Sequence, residues 1–206
     1  MALAPDGRSL VGRTVRLGRA SGNDAEGLFR VLDDDEVWAM GYGGTMGRPT
    51  SADGWHQLIE KAADANRVMY VVRAVDGAPG GGPIIGTTSL GDLDLANEKV
   101  HLGWTAYSPD VWSTSVNPEC KLMLLQHCFE DCALRRVKLR TDLINVRSQA
   151  AIAKLGATRE GVARQHLKRP DGTWRDSVIF SVIDDDWPQV KAGLEARLAD
   201  LAGSTT

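Results

Sequence analysis

Several things are scarce in this 206-residue chain, and each scarcity excludes something. Long hydrophobic runs are missing, so no stretch is suited to span a bilayer. Residues 1–9 lack the apolar core of a signal peptide, which leaves the cytoplasm as the expected location. A large excess of either charge is missing too. The formal net charge is −3, which disfavours bulk attraction to nucleic acid or to an anionic membrane. Cysteine is limited to Cys120, Cys128 and Cys132, all on one predicted helix. Cys128 and Cys132 are four residues apart and can be grouped with His127, but that spacing matches no strong zinc motif. Packing is the better account of these cysteines, because a free thiol behaves as a small buried hydrophobe. No metal is expected. The length is sufficient for a full core without staples. Without an internal repeat or a linker, residues 1–206 read as a single domain.

What the chain does contain is period. Residues 1–12 form a loose lead-in. Thr14 to Arg19 alternates and predicts a strand. A helix follows through Ala25, Leu28, Phe29 and Leu32, and the acidic run Asp33 to Glu36 ends it. That run could attract a cationic amine, although a solvated helix end explains it as well. Residues 41–50 are a glycine-rich loop, and Ser51-Ala52-Asp53 opens a helix through Trp55, Leu58, Ile59 and Ala62. Strands are predicted over 68–75, 84–95 and 98–107, joined at 77–83 and near Ala96-Asn97 as an antiparallel meander. Thr158 to Lys168 and Thr173 to Ile183 read as a hairpin about Pro170-Asp171-Gly172. A last helix begins at Asp186-Trp187-Pro188, and 203–206 is a frayed tail.

The stretch 102–157 organises the rest. A strand ending at Tyr107 runs into a polar turn and then a helix over 118–133, with Asn117 as cap and Pro118 as first residue. The apolar stripe expected for that helix is Leu122, Leu125, Phe129 and Cys132. Arg136 to Thr141 alternates as a half-buried strand, and a further helix from Asn145 and Ser148 closes at Gly156. Ser113, Thr114 and Ser115 offer amides and hydroxyls at a helix start, where unpartnered N–H groups and the helix dipole favour an anion. Capping is the plainer reading of these serines, and equally of Asn145 and Ser148. Two helix starts beside neighbouring strand ends nevertheless converge on one crevice, where ligands of open α/β sheets collect. His101 lies in the preceding strand. Unbroken alternation puts it on the face of Gly103 and Thr105, opposite Leu102 and Trp104. An ordinary pKa of about 6.5 would suit it to take a proton, with Asp92 or Asp94 as the competing acceptors.

These residues carry a resemblance to the GNAT superfamily of acyl-CoA-dependent N-acyltransferases, of the RimJ/RimL type that acetylates ribosomal-protein N-termini. It rests on Leu10 to Leu17, on Leu102-Gly103-Trp104-Thr105, on Arg169 to Asp176, and above all on Thr141 to Ala157. The last stretch has the pattern of Asn, two residues, Ser, then a helix ending in Leu-Gly. The resemblance covers about residues 11–200 and implies an α+β fold. Its mixed, mostly antiparallel seven-stranded sheet would carry helices on both faces and splay between the fourth and fifth strands, here 98–107 and 136–142. It further implies that the backbone at Thr105, Ala106 and Tyr107 binds pantetheine and polarises the thioester. The main chain of Trp112, Ser113, Thr114, Ser115, Val116 and Asn117 would hold the pyrophosphate. Asn145 would contact the pantetheine arm, Ser148 would protonate the departing thiolate, and His101 would line the acyl site. Asp110-Val111-Trp112-Ser113-Thr114-Ser115 stands where the family has Gln or Arg, two residues, Gly, one residue, then Gly or Ala. The implied partners are acetyl-CoA or another acyl-CoA such as succinyl-CoA, and an amine acceptor, either a protein N-terminus or a small molecule. A non-catalytic binding module on the same fold is the remaining alternative, and a homodimer is compatible with the sequence.

Overall fold

The computed structural model describes residues 1–39, 41–42, 47–75 and 81–203. In chain order the elements are β1 (Leu10–Val11), β2 (Val15–Arg19), α1 (Ala25–Leu32), α2 (Asp35–Ala39), α3 (Ala52–Asp64), β3 (Val68–Ala74), β4 (Ile84–Asp94) and β5 (Lys99–Tyr107). They continue with α4 (Val116–Gln126), β6 (Arg136–Asp142), α5 (Val146–Ala153), β7 (Thr158–Lys168), β8 (Trp174–Ile183) and α6 (Trp187–Gly203). The sheet has eight strands in the order β1-β2-β3-β4-β5-β6-β8-β7. Every pairing is antiparallel except that of β5 with β6.

The expected seven strands are joined by an eighth, Leu10–Val11, inside the supposed lead-in. Two residues are too few to show a period, so the sequence hid it. Its turn onto β2 is pinned from elsewhere. The buried Glu119 carboxylate on α4 accepts from the amides of Arg13 and Thr14 and from the Thr14 hydroxyl. The acidic run also behaves differently from expectation. Asp33 caps α1, then Asp34 Oδ1 accepts from the Glu36 amide at 2.8 Å and a short new helix, α2, begins. Asp35 and Glu36 sit in its first turn, where the helix dipole favours negative charge. Of the expected loop and tail residues, 43–46, 76–80 and 204–206 lie outside the described residues.

Two cores flank the sheet. On one face α4 and α6 bury Leu124, Leu125 and Leu194 against Leu17, Tyr70, Leu102, Val137, Leu139 and Phe180. On the other, α1–α3 bury Leu28, Leu32, Trp55 and Ile59 against Met69, Val71 and Ala106. Each such side chain contributes about 1.5–3 kcal/mol on full burial. α4 starts two residues before the expected position, with Ser115 ahead of Val116, so Asn117 is not its cap. Pro118 is then the third helical residue. It is tolerated because the first turn's N–H groups have no helical partner to lose. The buried stripe is Cys120, Leu124, Leu125 and Cys128, while Leu122 is only partly covered. At His127–Asp131 the helix widens into a π-turn. The extra residue rotates Phe129 and Cys132 into the core as well. All three cysteines are buried and free, as packing residues should be. His127 Nδ1 lies 2.8 Å from Asp131 Oδ2.

Glu119 ties the N-terminal turn to the helix that borders the cleft described below. Glu119→Ala strands two amides and a hydroxyl, and is expected to cost about 2–3 kcal/mol, the scale of hydrogen bonds to a charged group. Urea denaturation measures this, and an unchanged midpoint would show that the tether contributes nothing.

Candidate active site

β5 and β6 pair only at Lys99–Arg136, Val100–Val137 and His101–Lys138. Beyond that point β5 stays with β4 as far as Tyr107, and β6 stays with β8 as far as Asp142. Each strand follows its antiparallel neighbour, and a cleft of about 610 Å³ opens between the two halves of the sheet. Of the residues expected from sequence, His101, Thr105, Ala106, Tyr107, Trp112, Ser113, Thr114, Asn117, Asn145 and Ser148 all line it. Ser115 and Val116 do not. The Ser115 hydroxyl sits 3.3 Å from that of Thr14, and the Val116 side chain is buried in the core.

A bulge decides which residue faces where. Trp104 adopts φ +48°, and the β4–β5 register slips between Thr87–Ala106 and Ser89–Gly103. Alternation therefore breaks. Instead of lying on opposite faces, His101 and Trp104 pack together, with ring centroids 4.6 Å apart. Thr105 turns the other way, towards α4. There its hydroxyl accepts from Lys121 Nζ at 2.8 Å and lies 2.8 Å from the Thr88 hydroxyl. Lys121 also reaches Thr88 at 3.4 Å, and burial pushes its pKa down to about 8. Sequence reasoning passed over this lysine. Its only signal was a charged residue directly beside the buried stripe.

The turn before α4 is built to meet an anion. The amides of Ser113, Thr114 and Ser115 have no hydrogen-bond partner among the described residues. Ser113 has φ +65°, and successive N–H groups in such a turn form an anion-binding concavity. Asp110 does not intrude. It is exposed, its Oδ2 lies 3.3 Å from the Ser108 hydroxyl, and it is absent from the cleft lining. The Trp112 indole donates to the Tyr107 carbonyl at 3.0 Å, and the Arg147 guanidinium lies 3.2 Å above the indole ring. Asn145 caps α5, its Oδ1 accepting from the Ser148 amide at 2.8 Å.

His101 is not placed as a proton acceptor needs to be. It is 2 % exposed, and neither ring nitrogen reaches solvent. Nδ1 is 3.4 Å from Asp92 Oδ2, and a Cβ on Gly103 would fall 2.6 Å from Nε2, so only glycine leaves room for the ring. Burial pushes its pKa down to about 4, against the pull of Asp92 and with Arg140 and Lys138 adding to the fall. The expected titration near 6.5 is therefore displaced, and the ring is neutral across the physiological range. Asp92 is held well below the usual carboxylate range, first by the His101 ring and then by Lys138 and Arg140.

The cleft is cationic although the chain is not. Among the described residues, Lys61, Arg67, Lys121, Arg140, Arg147, Lys154, Arg175 and Arg197 line it, against Asp92 and Asp142. Of the acidic run, Glu36 lies near enough to Arg147 of the lining to act on its charge. Asp33 and Asp35 pair with Arg48 at 2.7 and 2.5 Å, outside the lining. No group of three His, Cys, Asp or Glu side chains that could hold a metal occurs among the described residues.

A split between parallel strands, facing an unpartnered amide turn at a helix start, can be compared with known proteins. The model for the acetyltransferase (GNAT) domain matches residues 14–158. The chain belongs to the GNAT acetyltransferase family. An acetyltransferase structure from T. thermophilus, provisionally named, is 33% identical over 96% of this chain and 100% of that one, with a TM-score of 0.83. A protein of Bacillus subtilis (strain 168), provisionally named ribosomal N-acetyltransferase YdaF, is 27% identical over 68% of this chain and 74% of its own. Mycobacterium smegmatis RimJ in complex with CoA-disulfide shares the fold, with a TM-score of 0.75 at 21% identity over 89% and 88% of the two chains. As a GNAT member the chain is an acyl-CoA-dependent acetyltransferase. The family model ends at the start of β7, so the hairpin and α6 lie beyond it.

Two outcomes follow for this site. Ser113 holds a left-handed conformation that costs an ordinary residue roughly 1 kcal/mol. Ser113→Gly is therefore expected to raise stability by about that amount and to leave CoA binding intact or tighter. Weaker binding, by calorimetry, would mean that the hydroxyl itself holds the phosphates. For His101, the folded pKa lies below the unfolded value, so its contribution to stability is complete above pH 6.5. That contribution is lost as the pH falls towards about 4. His101→Gln should flatten this part of the stability–pH curve, read as urea midpoints from pH 7 to 4. Parallel curves for the two proteins would refute it.

Proposed function

We propose that the chain is an N-acyltransferase that moves an acetyl group from acetyl-CoA to a primary amine by direct attack within a ternary complex. One observation carries this reading. Among the described residues the β6-facing edge of β5 has no ladder partner beyond His101, and it leads to the amides of Ser113, Thr114 and Ser115, which have no partner there either. An edge like this accepts an extended, amide-bearing arm as an added strand. Thr105, Ala106 and Tyr107 would hold pantetheine there, with Asn145 across the gap. The amides of the 113–115 turn, assisted by the α4 dipole, would take the pyrophosphate.

The amine attacks the thioester carbonyl. A C–N bond forms, the C–S bond breaks, Ser148 on the first turn of α5 gives its hydroxyl proton to the thiolate, and the proton shed by the new amide nitrogen passes through water to restore the serine hydroxyl. The amine must arrive as the free base. Arg67 and Arg140 make this easier, because neighbouring positive charge disfavours an ammonium ion. With His101 buried and neutral, that field and a relay through water take the task that the sequence assigned to its imidazole. A ribosomal amine is the acceptor suggested by the name of the Bacillus subtilis relative, and the RimJ/RimL resemblance implies a protein N-terminus. The cationic lining equally favours a second donor, an acyl-CoA that ends in a carboxylate such as succinyl-CoA.

Calorimetry with CoA and acetyl-CoA separates these readings from a non-catalytic module. Tight donor binding with no thiol release for any amine would leave the module. Ser148→Ala is expected to lower turnover roughly 10²- to 10⁴-fold, the usual share of a general acid, with little change in CoA affinity. Turnover equal to wild type would leave Ser148 as a helix residue without a chemical part.

A further inference from the structure

The donor reading occupies one face of the sheet. Thr105, Lys121 and the 113–115 turn all belong to the α4 side. The bulge sends Trp104 to the opposite face, where an unusual set of charges surrounds it. Arg67, just before β3, lies with its guanidinium carbon 4.6 Å from the centre of the Trp104 ring. Arg140, from β6, lies 5.9 Å from the same ring. Val137 and Leu139 point into the α4 core, so alternation along β6 sends Lys138 and Arg140 to the Trp104 side.

These cations are poorly compensated. The side chain of Arg67 makes no hydrogen bond among the described residues, and its partial burial lowers its pKa. Arg140 lies 3.9 Å from the Asp92 carboxylate. Asp92 is already shared with Lys138 at 3.3 Å and His101 at 3.4 Å. Further along the mouth, Asp142 is taken by Arg169 at 2.7 Å. Both guanidiniums lie beside the same indole, and the partial desolvation of Arg67 raises the cost of its charge. A second anion beside the indole would offset that cost. A carboxylate suits the site, because a guanidinium presents a planar fork that grips it by two parallel hydrogen bonds.

Resting on the acyltransferase reading, we infer that Arg67 and Arg140 bind a carboxylate of the amine acceptor. The acceptor class is an amine with a carboxylate a few ångströms from its nitrogen. That carboxylate has two sources, the α-carboxylate of a free amino acid or an acidic side chain next to a peptide N-terminus.

Matched acceptors test this on the full-length protein. Alanine is compared with alaninamide, and a C-terminally amidated Ser-Asp peptide with its Ser-Asn counterpart. Thiol release from acetyl-CoA and calorimetric binding to the CoA-loaded protein are both read. The acidic member of at least one pair is expected to be favoured roughly tenfold at low salt, in KM rather than kcat. Which pair shows the preference identifies the source. Arg67→Gln and Arg140→Gln should each shrink the ratio several-fold, and together bring it to about one, with CoA affinity unchanged. Arg67→Lys keeps the charge and should retain most of the preference, which guards against a merely misfolded variant. Equal use of acidic and neutral acceptors overturns the inference, as does a preference that survives the double variant. A preference for succinyl-CoA over acetyl-CoA that Arg67→Gln abolishes would give the site to the donor and likewise overturn it. If no acceptor releases thiol while acidic peptides still bind preferentially, acyl transfer fails and the carboxylate site stands.

Discussion

The parting of β5 from β6 after three residue pairs is the constraint on which the rest of the site depends. Parallel pairing is slightly weaker per residue than antiparallel pairing. Here each strand has an antiparallel neighbour with a longer ladder: β4 for β5, and β8 for β6. The two halves of the sheet are therefore each self-sufficient and can diverge along a shared seam. The seam still closes at the Lys99 end, so the gap is a wedge of fixed apex. α4 must leave the end of β5 and return to the start of β6, which sets its N-terminus at the wide end of the wedge. Helix start, open strand edge and cleft are consequences of the same connection.

Charge is distributed against the composition. A chain with net −3 collects eight basic and two acidic side chains around its cleft. Much of the acidic surplus is spent locally. Asp33 and Asp35 hold Arg48, Glu160 holds Arg136, and Glu130 holds Lys191. Such exposed pairs contribute little to stability. They do, however, keep negative charge out of the cleft, where partly desolvated Arg67 and Arg175 have their pKa lowered by burial. A site that keeps cations at this cost is arranged for anionic ligands, and the bulk charge reported nothing of it.

The legible parts of the sequence were those with a local period or a local motif. β2 and β6 alternate cleanly, and the stretch from Thr141 to Ala157 placed Asn145 and Ser148 at a helix start where both line the cleft. One cause of misreading is a period assumed to run unbroken. Along α4 the core takes Cys120 and Leu124 in place of Leu122, and the π-turn at 127–131 carries the stripe on to Phe129 and Cys132. The start of α4 was drawn to Pro118, although proline is free of penalty through the whole first turn. The face assignment along β5 failed at Trp104, whose positive φ no pattern of apolar residues announces. Arg67 had no local signal at all. It precedes an unremarkable strand, and its place beside Trp104 exists only in the folded sheet.

That bulge also joins the two halves of the chemistry. In a regular strand, neighbours face opposite sides and next-neighbours share one. At Trp104 the backbone instead gives His101, Gly103 and Trp104 to one face and Thr105 to the other. Thr105 is fixed by Lys121 and Thr88 on the α4 side, while Trp104 carries Arg67 on the far side. One peptide unit thus connects the wall read as the donor's to the wall read as the acceptor's. A shift of either side chain must pass through backbone angles that are already uncommon, so neither wall can adjust freely without the other. The absence of a Cβ at Gly103 and the burial of His101 behind Trp104 hold that unit in place. On this view the histidine serves the site by rigidity rather than by titration, since a neutral, enclosed ring supports the indole at every pH where the amine can react.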